Sequence, residues 1–121
     1  MKILIAEDDP VMLSVIQHQL KKDNYKISAN ADARDALSAL ETFKPDLIIT
    51  DILMPFTSGL ELIGIVRTSG SKIPILVVSA IDQEATVLEA LSLGADDFIT
   101  KPFKGKELSM MVKRLITLNK K

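Results

Sequence analysis

Five short apolar runs, Ile3 to Ala6, Tyr25 to Ala29, Leu47 to Thr50, Ile75 to Val78 and Phe98 to Thr100, recur along the chain. Each is followed by a stretch whose apolar residues fall three or four apart or close to it: Leu13, Ile16, Leu20; Ala33, Leu37, Leu40; Leu60, Ile63, Val66; Val87, Leu88, Leu91; Leu108, Val112, Leu115. Runs so short and so apolar read as strands covered on both faces, and the spaced stretches as helices. Strand and helix in strict alternation close by right-handed crossovers, so the pattern predicts an α/β fold with a parallel sheet and helices on both faces. Turn residues fall between the elements, at Lys44-Pro45-Asp46, Ser69-Gly70-Ser71, Gly94-Ala95-Asp96 and Lys101-Pro102. No repeat, linker or low-complexity segment interrupts the series, and 121 residues match one domain, 1–121, able to bury a core without metals or crosslinks.

Composition narrows the function classes. The absence of cysteine removes disulfide and thiolate chemistry and fits a reducing compartment, so a cytoplasmic location is expected. Glu7-Asp8-Asp9 follows the first apolar run too soon for a signal peptide or span, and no later run is long enough, so no membrane partner is expected. A net charge of -1 offers no basic field for direct nucleic-acid binding. The basic stretch from Lys113-Arg114 to Lys120-Lys121 reads as a solvated helix end.

In an open α/β sheet the ligand site lies beyond the carboxyl ends of the strands. The residues there are Glu7, Asp8 and Asp9 after the first strand, Asp51 after the third, Ser79 after the fourth and Lys101 after the fifth. Together they offer carboxylates for a hard divalent cation, one carboxylate for nucleophilic attack, and a hydroxyl and an ammonium for an anion: a magnesium-assisted phosphoryl site. Each also has a plainer reading. Asp9, directly before Pro10, reads as a helix N-cap. Ser79 alone is a turn hydroxyl, Lys101 alone a surface lysine, and Glu7 and Asp8 are cap and loop acids. Adjacent acids beside a buried strand nevertheless repel unless a cation answers them, and the joint placement favours function.

Glu7-Asp8, Thr50-Asp51-Ile52-Leu53-Met54-Pro55, Ser79-Ala80 and Gly94-Ala95-Asp96-Asp97-Phe98-Ile99-Thr100-Lys101-Pro102-Phe103 resemble, in order and spacing, the receiver domain of bacterial two-component response regulators. The resemblance spans essentially the whole chain and implies a flavodoxin-like (βα)5 fold with strand order 2-1-3-4-5, the order the chemotaxis receivers illustrate. It implies that Asp51 is the phosphoacceptor, attacking a phosphohistidine to give an acyl phosphate. By the same resemblance Asp8 is the direct Mg2+ ligand, Glu7 holds the metal through water, and Asp51 and the backbone carbonyl of Leu53 complete the protein's share. Lys101 is implied to pair with a phosphoryl oxygen, and Pro102 to follow a cis peptide bond. The implied partners are a sensor histidine kinase or histidine phosphotransfer protein and a downstream target or effector domain.

The same resemblance makes Ser79 the switch hydroxyl and Phe98 the switch aromatic, reporting on the face of the fourth helix, fifth strand and fifth helix. Phe98 also reads as a core aromatic; lacking the hydroxyl of the commoner tyrosine, it is expected to be partly buried. Regulators with winged-helix outputs pair charges across a symmetric dimer on that face. Here the acids remain at Asp96, Asp97 and Glu107, but Val87, Met111 and Leu118 hold the positions of the bases. That dimer is expected to be weak or absent, leaving a monomer or a different, phosphorylation-dependent dimer. The substitutions form an apolar strip with Leu93 and Met110, unless these side chains fold into the core. Leu53 and Ile81 stand where the family varies its dephosphorylation rate and cannot hydrogen-bond a water, so a persistent phosphoaspartate is expected. His18, at a polar helix position, is given no role.

Two other classes fit less well. An aspartate-nucleophile phosphatase resembles its relatives in a second aspartate two positions on, where this chain has Leu53. A nucleotide binder needs a glycine-rich phosphate loop, and neither GxGxxG nor GxxxxGK[ST] occurs. Whether the unit is a stand-alone regulator or the N-terminal part of a longer one stays open.

Overall fold

The computed structural model describes residues 1–55 and 57–119. Lys120 and Lys121, read above as the end of a solvated helix, lie outside the described residues. The order is β1 (Lys2–Ala6), α1 (Pro10–Lys22), β2 (Lys26–Asn30), α2 (Ala33–Phe43), β3 (Leu47–Thr50), α3 (Gly59–Thr68), β4 (Ile75–Ser79), α4 (Glu84–Leu93), β5 (Asp97–Thr100) and α5 (Gly105–Asn119). The five strands are all parallel in the order β2-β1-β3-β4-β5. The doubly wound, flavodoxin-like fold expected from the sequence is therefore the fold observed.

Alternation along the strands divides the core into two layers. Ile3, Ile5, Leu47, Ile49, Leu76 and Val78 meet Ile16 and Leu20 of α1 and Leu108 and Val112 of α5. Leu4, Ala6, Ile48, Ile75 and Val77 face the other way, toward α2, α3 and α4. Caps fix where helices begin: Asp9 Oδ1 accepts from Val11 N–H at 3.0 Å with Pro10 in the first turn, and Asp32 and Ser58 cap α2 and α3 likewise.

The strands also take in Lys2, Asn30 and Asp97 at their ends, and two further boundaries and one helix face differ from the sequence reading for local reasons. Tyr25 lies outside β2 because its N–H is used on the Leu20 carbonyl at 3.2 Å, closing α1, with Asn24 at positive φ beside it. Ser79 is the last residue of β4 and not the first after it, since it stands opposite Thr100 in the ladder and its carbonyl accepts from Lys101 N–H at 2.9 Å. In α4 the spaced residues do not all turn inward. Ala90 is the buried one, Val87 is half-buried, and Leu88 and Leu91 are 54% and 40% exposed. The helix approaches α3 and β5 through that small side chain, which leaves its larger residues on the outside.

Candidate functional site

β3 delivers Asp51 to the carboxyl edge of the sheet, where its backbone N–H still donates to the Ala6 carbonyl of β1 at 3.0 Å. The side chain is buried, at 8% exposure for the residue, and both oxygens are occupied. Oδ1 accepts from Ile52 N–H at 2.6 Å and Oδ2 from Lys101 Nζ at 2.9 Å. Lys101 Nζ also donates to Glu7 Oε1 at 2.6 Å, so one ammonium spans two carboxylates brought from opposite parts of the chain. Glu7 is itself buried, and its Oε2 accepts from Asp9 N–H at 3.2 Å. Asp8, between them in sequence, is exposed.

Lys101 thus bridges two of the three acids gathered here. Carboxylate oxygens of Glu7, Asp8 and Asp51 lie within 4.8 Å of one another. Burial raises the Glu7 carboxyl above its usual range; the hydrogen bond from Lys101 opposes this, and the charge of Asp51 adds to it. Burial alone would lower the Lys101 ammonium, but its bonds to Glu7 and Asp51 and their charges outweigh that and raise it. An all-oxygen, acid-rich and partly open cluster has the donor set of a hard divalent cation such as Mg2+, which these residues fit. Beside Asp8 a cavity of about 400 Å³ is lined by Ile52, Leu53, Met54, Pro55 and Ser58, giving room next to the acids.

The other sequence-selected residues lie around this core of the site. Ser79 is buried and its Oγ accepts from Ile81 N–H at 3.2 Å, a turn bond in keeping with its plainer reading. Phe98 is half-buried against the α2–α4 layer. The Lys101–Pro102 peptide is cis. Leu53 projects its side chain outward at 63% exposure, and Ile81 is half-buried. The apolar strip is split: Leu93, Met110 and Leu118 are exposed, whereas Val87 and Met111 are half-buried and Met111 packs on the α1–α5 layer. Of the three acids on the face where winged-helix regulators dimerise, Asp96 pairs within the chain with Arg67 at 3.0 Å and Asp97 with Arg114 at 3.1 Å. His18 is exposed on α1.

Two residues of the site went unread in the sequence. Thr50 is fully buried and its hydroxyl donates to the Asp51 carbonyl at 2.8 Å; a polar residue ending an otherwise apolar run was the available signal. Gly59 begins α3 so close to the acceptor that an added Cβ would lie on the Asp51 carbonyl oxygen. Only the turn from strand to helix reveals that contact, not residue spacing.

Residues 3–113 match the sequence profile described as "Response regulator receiver domain". The alkaline phosphatase synthesis transcriptional regulatory protein PhoP of Bacillus subtilis is 36% identical over 95% of this chain and 48% of its own length. The chain thus spans about half the length of the curated relatives it matches. Among solved structures, the receiver domain of Francisella response regulator 1452 superposes with a TM-score of 0.92 at 30% identity, covering 98% of both chains. The chemotaxis protein CheY4 of Vibrio cholerae gives 0.89 at 28% identity over 94% of this chain and 97% of its own. Among the described residues no helix is long and apolar enough to cross a membrane.

Proposed function

This chain belongs to the response regulator receiver domain family, and from that premise we propose that Asp51 accepts a phosphoryl group from a sensor histidine kinase or a histidine phosphotransfer protein. Residues 1–121 act on this reading as one cytoplasmic receiver domain, a signalling switch that assists its own phosphorylation and dephosphorylation and turns over no other substrate. The observation that carries it is the bridge from Lys101 to Asp51 and Glu7, at 2.9 and 2.6 Å, inside a group of three convergent carboxylates.

A carboxylate oxygen of Asp51 attacks the phosphorus, an acyl phosphate P–O bond forms, and the P–N bond to the donor imidazole breaks, its electron pair leaving with the ring nitrogen. The attack needs a nucleophile of fixed direction, which the end of a buried strand and the Ile52 N–H supply. Asp8 would hold Mg2+ directly, Glu7 through water, with Asp51 and the Leu53 carbonyl completing the protein's share. When bound, the metal offsets the repulsion between two anions. Lys101, already on Asp51 Oδ2, would pass to a phosphoryl oxygen.

The switch would start at Ser79, whose Oγ accepts from Ile81 N–H and so keeps its own proton for a phosphoryl oxygen. Moving it draws the β4–α4 loop inward and opens room for the half-buried Phe98, altering the face of α4, β5 and α5 toward a downstream protein or effector domain. Leu53 and Ile81 offer no hydrogen bond to an attacking water, so the phosphoaspartate persists. Intact mass after incubation with acetyl phosphate tests the proposal. One phosphoryl addition that requires Mg2+ and is abolished in Asp51→Asn is expected; an equal addition in Asp51→Asn would refute the assignment.

A further inference from the structure

Thr50 sits in the wrong company for a polar side chain. It is fully buried, follows Ile48 on the strand face turned to α2, α3 and α4, and has Ala6 and Val77 as its neighbours across the ladder. Valine has the same shape and would bury there without desolvating a hydroxyl. The hydroxyl instead donates to the Asp51 carbonyl oxygen at 2.8 Å.

That carbonyl shares a planar peptide unit with the N–H of Ile52, and this N–H holds Asp51 Oδ1 at 2.6 Å. Fixing one end of the plane therefore aims the other. The Gly59 backbone lies against the same carbonyl from the α3 side, near enough to exclude any side chain, and Gly59 N–H donates to the Ile52 carbonyl at 2.9 Å. The peptide is thus bonded on one side and walled on the other, and its N–H sets one oxygen of the carboxylate whose second oxygen lies on Lys101. We infer that Thr50 is a positioning residue for the acceptor, acting through the Asp51–Ile52 peptide to hold the carboxylate in its direction of attack; this rests on the reading of Asp51 as phosphoacceptor.

Thr50→Val deletes the donor and keeps the shape, and Thr50→Ser restores it. With acetyl phosphate and Mg2+, Thr50→Val is expected to lower the maximal phosphorylation rate by roughly tenfold, the scale of a slightly misdirected nucleophile. The donor concentration at half-maximal rate should stay within about twofold, and Thr50→Ser should return the rate to within about threefold of wild type. Independently of phosphorylation, the Ile52 amide proton should shift upfield in Thr50→Val and stay in place in Thr50→Ser, as its bond to Oδ1 weakens or holds. An unchanged maximal rate and amide shift in folded Thr50→Val overturns the inference, as does a serine variant no better than valine. A wild-type protein that takes no label on Asp51 removes the acceptor reading itself, and the inference with it; a labelled wild type with an indifferent Thr50→Val removes the inference alone.

Discussion

Two ionic clusters close opposite ends of the same sheet, and they are built on opposite plans. At the amino ends of β4 and β5, Arg67 reaches from α3 to donate to the Gly94 carbonyl, the Ser71 carbonyl and Asp96 Oδ2, each at 3.0 Å. Asp96 Oδ2 also accepts from Ile75 N–H at 2.8 Å, so charge is matched and the backbone of two loops is tied. Gly94, at a φ of 121°, lets the turn lie directly on the arginine stem, where a Cβ would collide with its Cγ. At the carboxyl ends Lys101 answers Glu7 and Asp51 while Asp8 adds a further negative charge. In the first cluster one guanidinium meets one carboxylate, whereas in the second one ammonium bridges two carboxylates with a third close by. On the proposed function the first cluster serves the fold and the second serves the phosphoryl chemistry.

The largest expected effect tests the balanced side. Arg67→Ala removes a guanidinium that satisfies two carbonyls and a carboxylate, and should lower unfolding free energy by about 2 kcal/mol in chemical denaturation. Phosphorylation by acetyl phosphate should remain within about twofold of wild type. If the variant kept its stability and lost phosphorylation, the division into a structural and a working cluster would be reversed.

A smaller effect of opposite sign is expected on the other side. Asp51→Asn leaves Lys101 with Glu7 and removes the charge that presses on Glu7, so the fold should gain about 1 kcal/mol while phosphorylation is abolished. Asp96→Asn, which breaks a matched pair, should instead lose about 1 kcal/mol. Denaturation midpoints that fall together in both variants would mean that the two clusters are energetically alike.

The sequence carried the unbalanced cluster far better than the balanced one. Glu7, Asp8, Asp51 and Lys101 could be read because each stands at the end of an apolar run, and sheet topology alone brings such ends together. Arg67, Ser71, Gly94 and Asp96 follow no period and meet only through the packing of α3 on the α4–β5 loop, so nothing in their spacing foretold the clamp. The strands were legible as short apolar runs, although covering on both faces holds for β1, β3 and β4 and not for the edge strands β2 and β5; Tyr25 and Ser79 were misplaced by one position because capping and ladder bonds outrank apolarity at strand ends. In α4 the spacing was right for a helix and wrong for its buried side: one alanine decides which face approaches the sheet, and a hydrophobic pattern does not reveal that. Thr50 was hidden inside a run classified by its neighbours, although its hydroxyl is what touches the acceptor's backbone.

Alkaline pH separates the clusters by the smallest margin. Arginine does not deprotonate in a protein at alkaline pH. Lys101 does titrate, and its folded-state pKa is raised by Glu7 and Asp51 over the opposing effect of burial. Above about 10.4, where an unfolded lysine has begun to lose its proton, the folded protein still holds one that the unfolded chain has released. The stability from this ammonium is therefore fully present below that value and is lost as pH rises through the raised folded pKa. Tyr25, also raised by burial and by Asp23, contributes with the same sign, so the informative quantity is a difference between variants. Unfolding free energy measured between pH 9.5 and 11.5, a window set around that lysine value of about 10.4, should fall more steeply in wild type than in Lys101→Met, with Arg67→Ala following the wild-type slope. Parallel slopes for wild type and Lys101→Met would show that the lysine gains nothing from its two carboxylates on folding, and the contrast between the two ends of the sheet would then rest on geometry alone.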